Sequence, residues 1–279
     1  MFGIFAGVIS LCAVGQSVFT KIASTKNDEA SSMRFNAWKI SASLLLFLLF
    51  SFYKLQFHMP TVVFSSVYGL ALFFSTLFGY KALSSGSMAL SSLIVSYSVV
   101  IPCLFGIIFL NESVNFIKIL GFIFLLLSMY LLNRQKEDLK INKCWLVYVL
   151  TTFLSNGICS VVQKMHQTLY PASFCNEFMI CSLLLTFIMF FVISMGKKYT
   201  DKKSGTTKYA LLAGILMGLG NYITLLLSSR VDASVMFPVI TILSMLFNVT
   251  VSKLYFKDSF SIIQFAGIIL GVFSVLFIK

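Results

Sequence analysis

Ten stretches of this chain are apolar for long enough to cross a lipid bilayer. They fall near residues 2–22, 36–54, 62–82, 88–109, 116–133, 144–165, 174–195, 208–228, 234–254 and 262–278. A hydrocarbon core about 30 Å thick needs about 20 residues of helix. Lipid offers backbone N–H and C=O groups no partners, so a span must be a helix or part of a closed barrel. Runs this long are not barrel strands. The longest breaks, RQKEDLKINK at 134–143 and GKKYTDKKSGTT at 196–207, leave no room for a water-soluble domain. The expectation is an all-α integral membrane protein with ten transmembrane helices.

Composition agrees with that expectation and removes several alternatives. The chain of 279 residues is 58% hydrophobic and 11% charged, whereas a soluble domain carries about a quarter charged residues. The net charge of +12 would suggest nucleic acid in a soluble protein. Here the lysines cluster between apolar runs, which points to topology and anionic membrane lipids, with no nucleic-acid partner. Six cysteines lie scattered in apolar runs without a CxxC or zinc spacing, and read as small buried hydrophobes. His58 and His166 each lie near a helix end and read as ordinary polar groups. No metal or cofactor is expected. The first run begins at Phe2 without a basic leader, so it reads as a span and not as a cleaved signal.

The chain repeats itself. FLNESVNFIKILGF at 109–122 aligns with YFKDSFSIIQFAGI at 255–268, placing Glu112 over Asp258 and Gly121 over Gly267. SVFTK at 17–21 aligns with SVVQK at 160–164, SLLLFLLF at 43–50 with SLLLTFIMF at 182–190, and LSSGSMA at 83–89 with LSSRVDA at 227–233. The order is kept and the offsets drift only by loop-sized amounts. A five-helix unit, residues 1–135, is therefore expected to recur as residues 144–279. Five is odd, so the second unit starts on the opposite side of the membrane. Two inverted five-helix repeats around a midplane site are a common transporter architecture.

Sixteen of the 21 Lys and Arg residues fall in loops and flanks opposite the termini, and five on the termini side. The positive-inside rule then places both termini outside.

Polar stripes on apolar helices mark faces turned to protein or water. Helix 6 carries Asn156, Ser160, Gln163 and Lys164 at helical spacing, matched on helix 1 by Ala13, Ser17, Thr20 and Lys21, with Gln16 beside them. Helix 8 offers Asn221 and Thr224, helix 9 Thr241 and Asn248, helix 3 Tyr80, and helix 4 Ser96 and Tyr97. Helices 2, 5, 7 and 10 read as nearly all apolar within their spans. The simplest arrangement surrounds a central polar cavity with helices 1, 3, 4, 6, 8 and 9. Those named residues are the substrate-binding candidates. The competing explanation is that hydroxyls and amides only join helices, at about 0.6–2 kcal/mol each.

Three charges are candidates for coupling or gating. Glu177 opens helix 7, where an acid also suits the helix dipole. Lys21 and Lys164 close helices 1 and 6, where a cation suits the dipole and can snorkel. Inversion sets these two lysines at opposite mouths of the cavity. Glu112 and Asp258 read as structural turn residues between helices 4–5 and 9–10. Gly214xxxGly218 and Gly267xxxGly271 fit close helix contacts, and Pro102 and Pro238 interrupt helices 4 and 9.

Ten spans in two halves, the acid-then-serine turns at Glu112 and Asp258 before a glycine-bearing helix, and GYKALSSGSMALSSL at 79–93 together resemble EamA-type members of the drug/metabolite transporter superfamily. The resemblance covers essentially the whole chain. It implies a secondary transporter with a central pocket that moves amino acids, other small metabolites or drugs across the cell membrane, such as a bacterial inner membrane. It also implies that helices 5 and 10 lie away from the pocket, where they can pair in a homodimer. Lys39 takes a place where the family often has Arg. Many relatives keep both termini in the cytoplasm, against the charge count here.

The other function classes have less behind them. HExxH, GxSxG and acidic metal clusters are absent from the sequence, as is the phosphate loop of an ATP-driven pump. A lipid flippase or helper subunit of the same fold is the main alternative. A cavity of amides, hydroxyls and tyrosines suits a small neutral or zwitterionic metabolite better than a polyanion.

Overall fold

The computed structural model describes residues 2–24, 29–51, 55, 56, 58–85, 91, 94–132, 143–195, 205–256 and 262–278. Every regular element among them is helical. The helices are α1 (Phe2–Ser24), α2 (Glu29–Phe50), α3 (Met59–Ser85), α4 (Ile94–Phe109), α5 (Phe116–Leu132), α6 (Lys143–Leu169), α7 (Cys175–Met195), α8 (Gly205–Ser228), α9 (Ala233–Phe256) and α10 (Ile262–Ile278). Six of them, α1, α2, α3, α6, α7 and α8, are long and apolar enough to cross a membrane. The apolar stretches of α4, α5, α9 and α10 run to only 10–17 residues. Among the described residues, six of the ten expected spans are therefore full-length, and α4, α5, α9 and α10 adjoin residues outside the described set.

α4 is not an α-helix throughout. Tyr97–Val99 form a 3₁₀ turn, and Pro102 follows in the next turn. Proline has no N–H to bond the carbonyl four residues back, here that of Ser98, so the ladder tightens just before it. Pro238 lies inside α9, which continues through it.

The packing has a recurring scheme. α1 lies along α8 and α9, and α6 lies along α3 and α4. α2 lies along α8, and α7 along α3. α2 also meets α7, and α5 meets α10. Exchanging each helix for the one five places along converts each of these pairings into another of the set or, for α2–α7 and α5–α10, into itself.

Glycines set the closest approaches. A Cβ on Gly214 would stand 2.2 Å from the Lys39 carbonyl oxygen, and one on Gly69 2.7 Å from that of Ser182. Both GxxxG motifs are used inside the chain: Gly214 and Gly218 against α2, and Gly271 against Ser128 of α5. Ser128 Oγ donates to the Gly267 carbonyl at 2.8 Å, so α5 and α10 share a hydrogen-bonded face. Two apolar clusters fill the interior, one around Leu125, Met129, Met236 and Ile242, the other around Phe47, Phe178, Leu183 and Leu225. Many large apolar residues point outward, as a lipid-facing surface requires; Ile123, Phe191 and Phe265 are each more than half exposed.

α2 is less apolar than the sequence suggested. It buries Asn36, Lys39 and Ser43 at 6%, 6% and 0% exposure, three residues at helical spacing on one stripe. Their burial comes from the small residues of α8, which let the two helices close on them.

Candidate functional site

Four helix ends meet where α4, α6, α8 and α9 converge. After α4 the chain turns back through Asn111 at φ 51°, a left-handed conformation that Asn tolerates. The Glu112 N–H returns to the Gly106 carbonyl at 3.2 Å. This aims the Glu112 carboxylate away from its own turn and into the second half of the chain. Its Oε1 accepts the Ala233 N–H at 2.6 Å, and its Oε2 accepts the Ser234 N–H at 2.9 Å and the Ser234 hydroxyl at 2.5 Å. These amides open α9 and have no partner within the helix. The expectation that Glu112 merely shapes the turn between helices 4 and 5 is corrected: it caps a helix 121 residues away. Gly106 makes the room, since a Cβ there would meet Glu112 Oε2 at 2.6 Å.

Lys164 approaches the same place from α6. Its Nζ donates to the Ser228 carbonyl at 3.0 Å and the Val231 carbonyl at 2.6 Å, at the end of α8. It stands 4.0 Å from Glu112 Oε1, with side-chain exposures of 8% and 4% for the two residues. A cation therefore sits on the negative end of α8 and an anion on the positive end of α9, the favourable polarity at both.

The substrate candidates divide into two groups. The hydroxyls are spent within their own helices: Ser17 on the Ala13 carbonyl, Thr20 on Gln16, Ser160 on Asn156, Thr224 on Gly220 and Thr241 on Phe237, at 2.7–3.1 Å. The Tyr97 hydroxyl donates to the Leu126 carbonyl of α5 at 3.1 Å. Asn156 Oδ1 accepts the Ser75 hydroxyl, tying α6 to α3. Among the amides, Gln163 holds unused capacity. Gln163 is 5% exposed and its Nε2 is buried with no hydrogen-bond partner. Gln16 and Asn221 are half-buried on α1 and α8, and Tyr80 and Ser96 are half-buried as well. The side chains of Lys21 and Asn248, and all of Asp258, lie outside the described residues.

Glu177 is committed elsewhere. Its Oε1 accepts the Gln56 N–H at 3.0 Å, fastening the segment before α3 to the first turn of α7. An apolar groove lined by Ile101, Leu104, Phe105, Ile108, Phe109, Ile158 and Val161 runs between α4 and α6 and contains none of the candidates. Among the described residues no His, Cys, Asp and Glu cluster could hold a metal ion.

Residues 1–134 match the model of the EamA-like transporter family. A solved structure described only as "Crystal structure of protein" is similar over 99% of this chain and 97% of its own, with a TM-score of 0.78 at 13% identity. At that identity the likeness establishes a shared fold. No curated protein matches the sequence. The family match over residues 1–134 supports an EamA-type transporter of the drug/metabolite transporter superfamily, and the apolar helices indicate a multi-pass membrane protein; the solved structure adds the likeness of fold.

Proposed function

We propose that the chain is a secondary transporter that moves a small neutral or zwitterionic metabolite, an amino acid or a drug-like molecule, across the cell membrane. Two inverted five-helix halves, residues 1–135 and 144–279, expose a central site alternately to either side, and the termini lie outside. The observation that carries this reading is the pairing scheme, in which α1 with α8 and α9 answers α6 with α3 and α4. That is the pattern two interleaved copies of one unit would produce. The Glu112–Lys164 junction supports it as well, because it adds a polar tie between helix ends to the apolar packing that joins the two halves.

The substrate would meet Gln16, Asn221 and Gln163, the last with a buried Nε2 that has no hydrogen-bond partner. Without a charged group among these three, a polyanion has nothing to balance it. The test is a thermal-shift screen of amino acids and small neutral metabolites on purified protein, followed by counterflow of each hit in proteoliposomes. A stabilising compound that also exchanges across the membrane supports the reading. Absence of any hit together with accelerated lipid scrambling would replace it with the lipid-moving alternative.

A further inference from the structure

The geometry points to His166 as a proton-binding site whose occupation is incompatible with the closed form of the α6–α7 turn. His166 is 0% exposed near the end of α6, one helical turn from Gln163. Its Nδ1 lies 3.0 Å from Gln167 Nε2, and its Nε2 lies 3.1 Å from Thr61 Oγ1. Thr61 Oγ1 lies 2.9 Å from His58 Nδ1. The two imidazoles are thus joined through one hydroxyl.

The donors in this chain can be assigned from Gln167. Its Oε1 accepts the Ala172 N–H at 3.1 Å and the Cys175 thiol at 3.4 Å, so Nε2 is the amide nitrogen that faces His166. An amide N–H₂ can only donate, so His166 Nδ1 accepts and its hydrogen sits on Nε2. The His166 Nε2–H then donates to Thr61, and the Thr61 hydroxyl donates to His58 Nδ1. Every link runs in one sense, from Gln167 towards His58.

Adding a proton to His166 reverses the first link. The proton forms an N–H bond at Nδ1, the ring's one lone pair, and no covalent bond breaks. Nδ1–H and the Gln167 amide are then both donors at 3.0 Å, so the Gln167 side chain must turn away or invert. Either movement takes Oε1 from the Ala172 amide and the Cys175 thiol. The backbone these contacts hold is unusual, since Ala172 and Phe174 both have left-handed φ, 53° and 52°, without being glycine. Such a conformation persists when its surroundings fix it. Loss of the Gln167 contacts therefore loosens residues 170–175. A charged His166 can discharge outward: its Nε2 hydrogen passes to Thr61 while the Thr61 hydrogen passes to His58 Nδ1, leaving His166 neutral with its hydrogen on Nδ1 and His58 charged.

The rest of the enclosure is aromatic. His166 stacks on Phe178 at 4.6 Å and lies near Phe64 and Tyr170, and His58 stacks on Phe174 at 4.4 Å and meets the Tyr170 edge at 4.7 Å. The titratable groups nearest the pair on the packed elements are His58 on the segment before α3, Tyr68 on α3 against Phe178, Tyr170 in the turn, and Cys175, Glu177 and Cys181 on α7; Glu177 is held by Gln56. Among the described residues no lysine or arginine faces the pair. What the proton drives rests on the transporter reading, whereas its binding does not.

The experiment is histidine ¹⁵N NMR on the full chain in nanodiscs, paired with amide hydrogen exchange over the same pH range. At neutral pH the His166 resonances should show the Nε2–H tautomer. As pH falls through its titration, exchange at Ala172 should speed several-fold after correction for the intrinsic pH dependence. Gln167→Glu, whose carboxylate can accept from both His166 Nδ1–H and Ala172 N–H, should make that protection independent of pH. The inference is overturned if His166 carries its neutral hydrogen on Nδ1, if it stays neutral until the fold is lost, or if Ala172 protection ignores its titration in the wild-type chain. Those outcomes leave transport itself, read by counterflow, untouched.

Discussion

Glu112 and Lys164 lie 4.0 Å apart where the two halves of the chain meet, and each holds a different end of the α8–α9 turn. The separation is at the limit of an ion pair, so most of what each residue contributes goes to the helix end it caps. Removing either leaves the other's charge in a site from which water is almost excluded. Lys164 keeps the Ser228 and Val231 carbonyls when Glu112 is neutralised, so its charge is not left without acceptors.

Glu112→Gln should lower stability by about 1–3 kcal/mol, because a neutral amide offers one oxygen where the carboxylate offers two to the opening amides of α9. Thermal unfolding in detergent reads this directly. Gly106→Ala should act on the same contacts from the other side, since the new methyl would stand where Glu112 Oε2 now lies. The two substitutions combined should cost less than their sum. Full additivity would mean that Gly106 serves a different purpose.

Lys164→Met keeps an unbranched side chain one atom shorter and removes the charge. It should destabilise the chain on its own, and destabilise a Glu112→Gln background less. The double-mutant cycle should give a coupling of about 0.5–3 kcal/mol. A coupling indistinguishable from zero would show that the two residues cap their helices independently.

How much of this was legible in the sequence depends on range. The helices could be read from apolar runs, since the requirement that lipid imposes on backbone groups is local. The α5–α10 contact was half visible in Gly267xxxGly271, but its use against Ser128 inside the chain depends on tertiary packing. Glu112 was noticed and given the wrong helix, because spacing reports neighbours along the chain and its ligands are Ala233 and Ser234. The buried stripe of α2 was missed, since Asn36, Lys39 and Ser43 are ordinary in isolation and become buried only because Gly214 and Gly218 admit close contact. His58 and His166 lie 108 positions apart in the numbering, and nothing local announces that Thr61 joins them.

The lysine distribution yields a prediction on orientation. Reporter fusions after Lys279 and within residues 197–203 should lie on opposite sides of the membrane, with the lysine-rich loop in the cytoplasm. A cytoplasmic C-terminus would reverse the proposed orientation and leave the fold unchanged.

The candidate site can be tested by separating stability from binding. Gln163 Nε2 is buried without a partner, so the folded chain bears its desolvation cost and gains no hydrogen bond from it. Gln163→Leu should then leave the ligand-free protein as stable as before, or more so. If a substrate supplies the missing acceptor, the same substitution should weaken binding of a confirmed transport substrate by about 1–3 kcal/mol. Asn156 differs, because it already accepts the Ser75 hydroxyl of α3. Asn156→Leu should cost stability by about 0.6–2 kcal/mol whether or not a ligand is present. Ser128→Ala is unsuitable as a neutral reference, since Ser128 is fully buried and bonded to Gly267; Leu127→Ala, on the lipid-facing side of α5, serves instead. Ligand-dependent thermal shifts on the three variants at equal folded yield would decide the matter. A Gln163→Leu protein that binds normally would remove Gln163 from the recognition surface, and a destabilised one would place it among the residues that hold helices together.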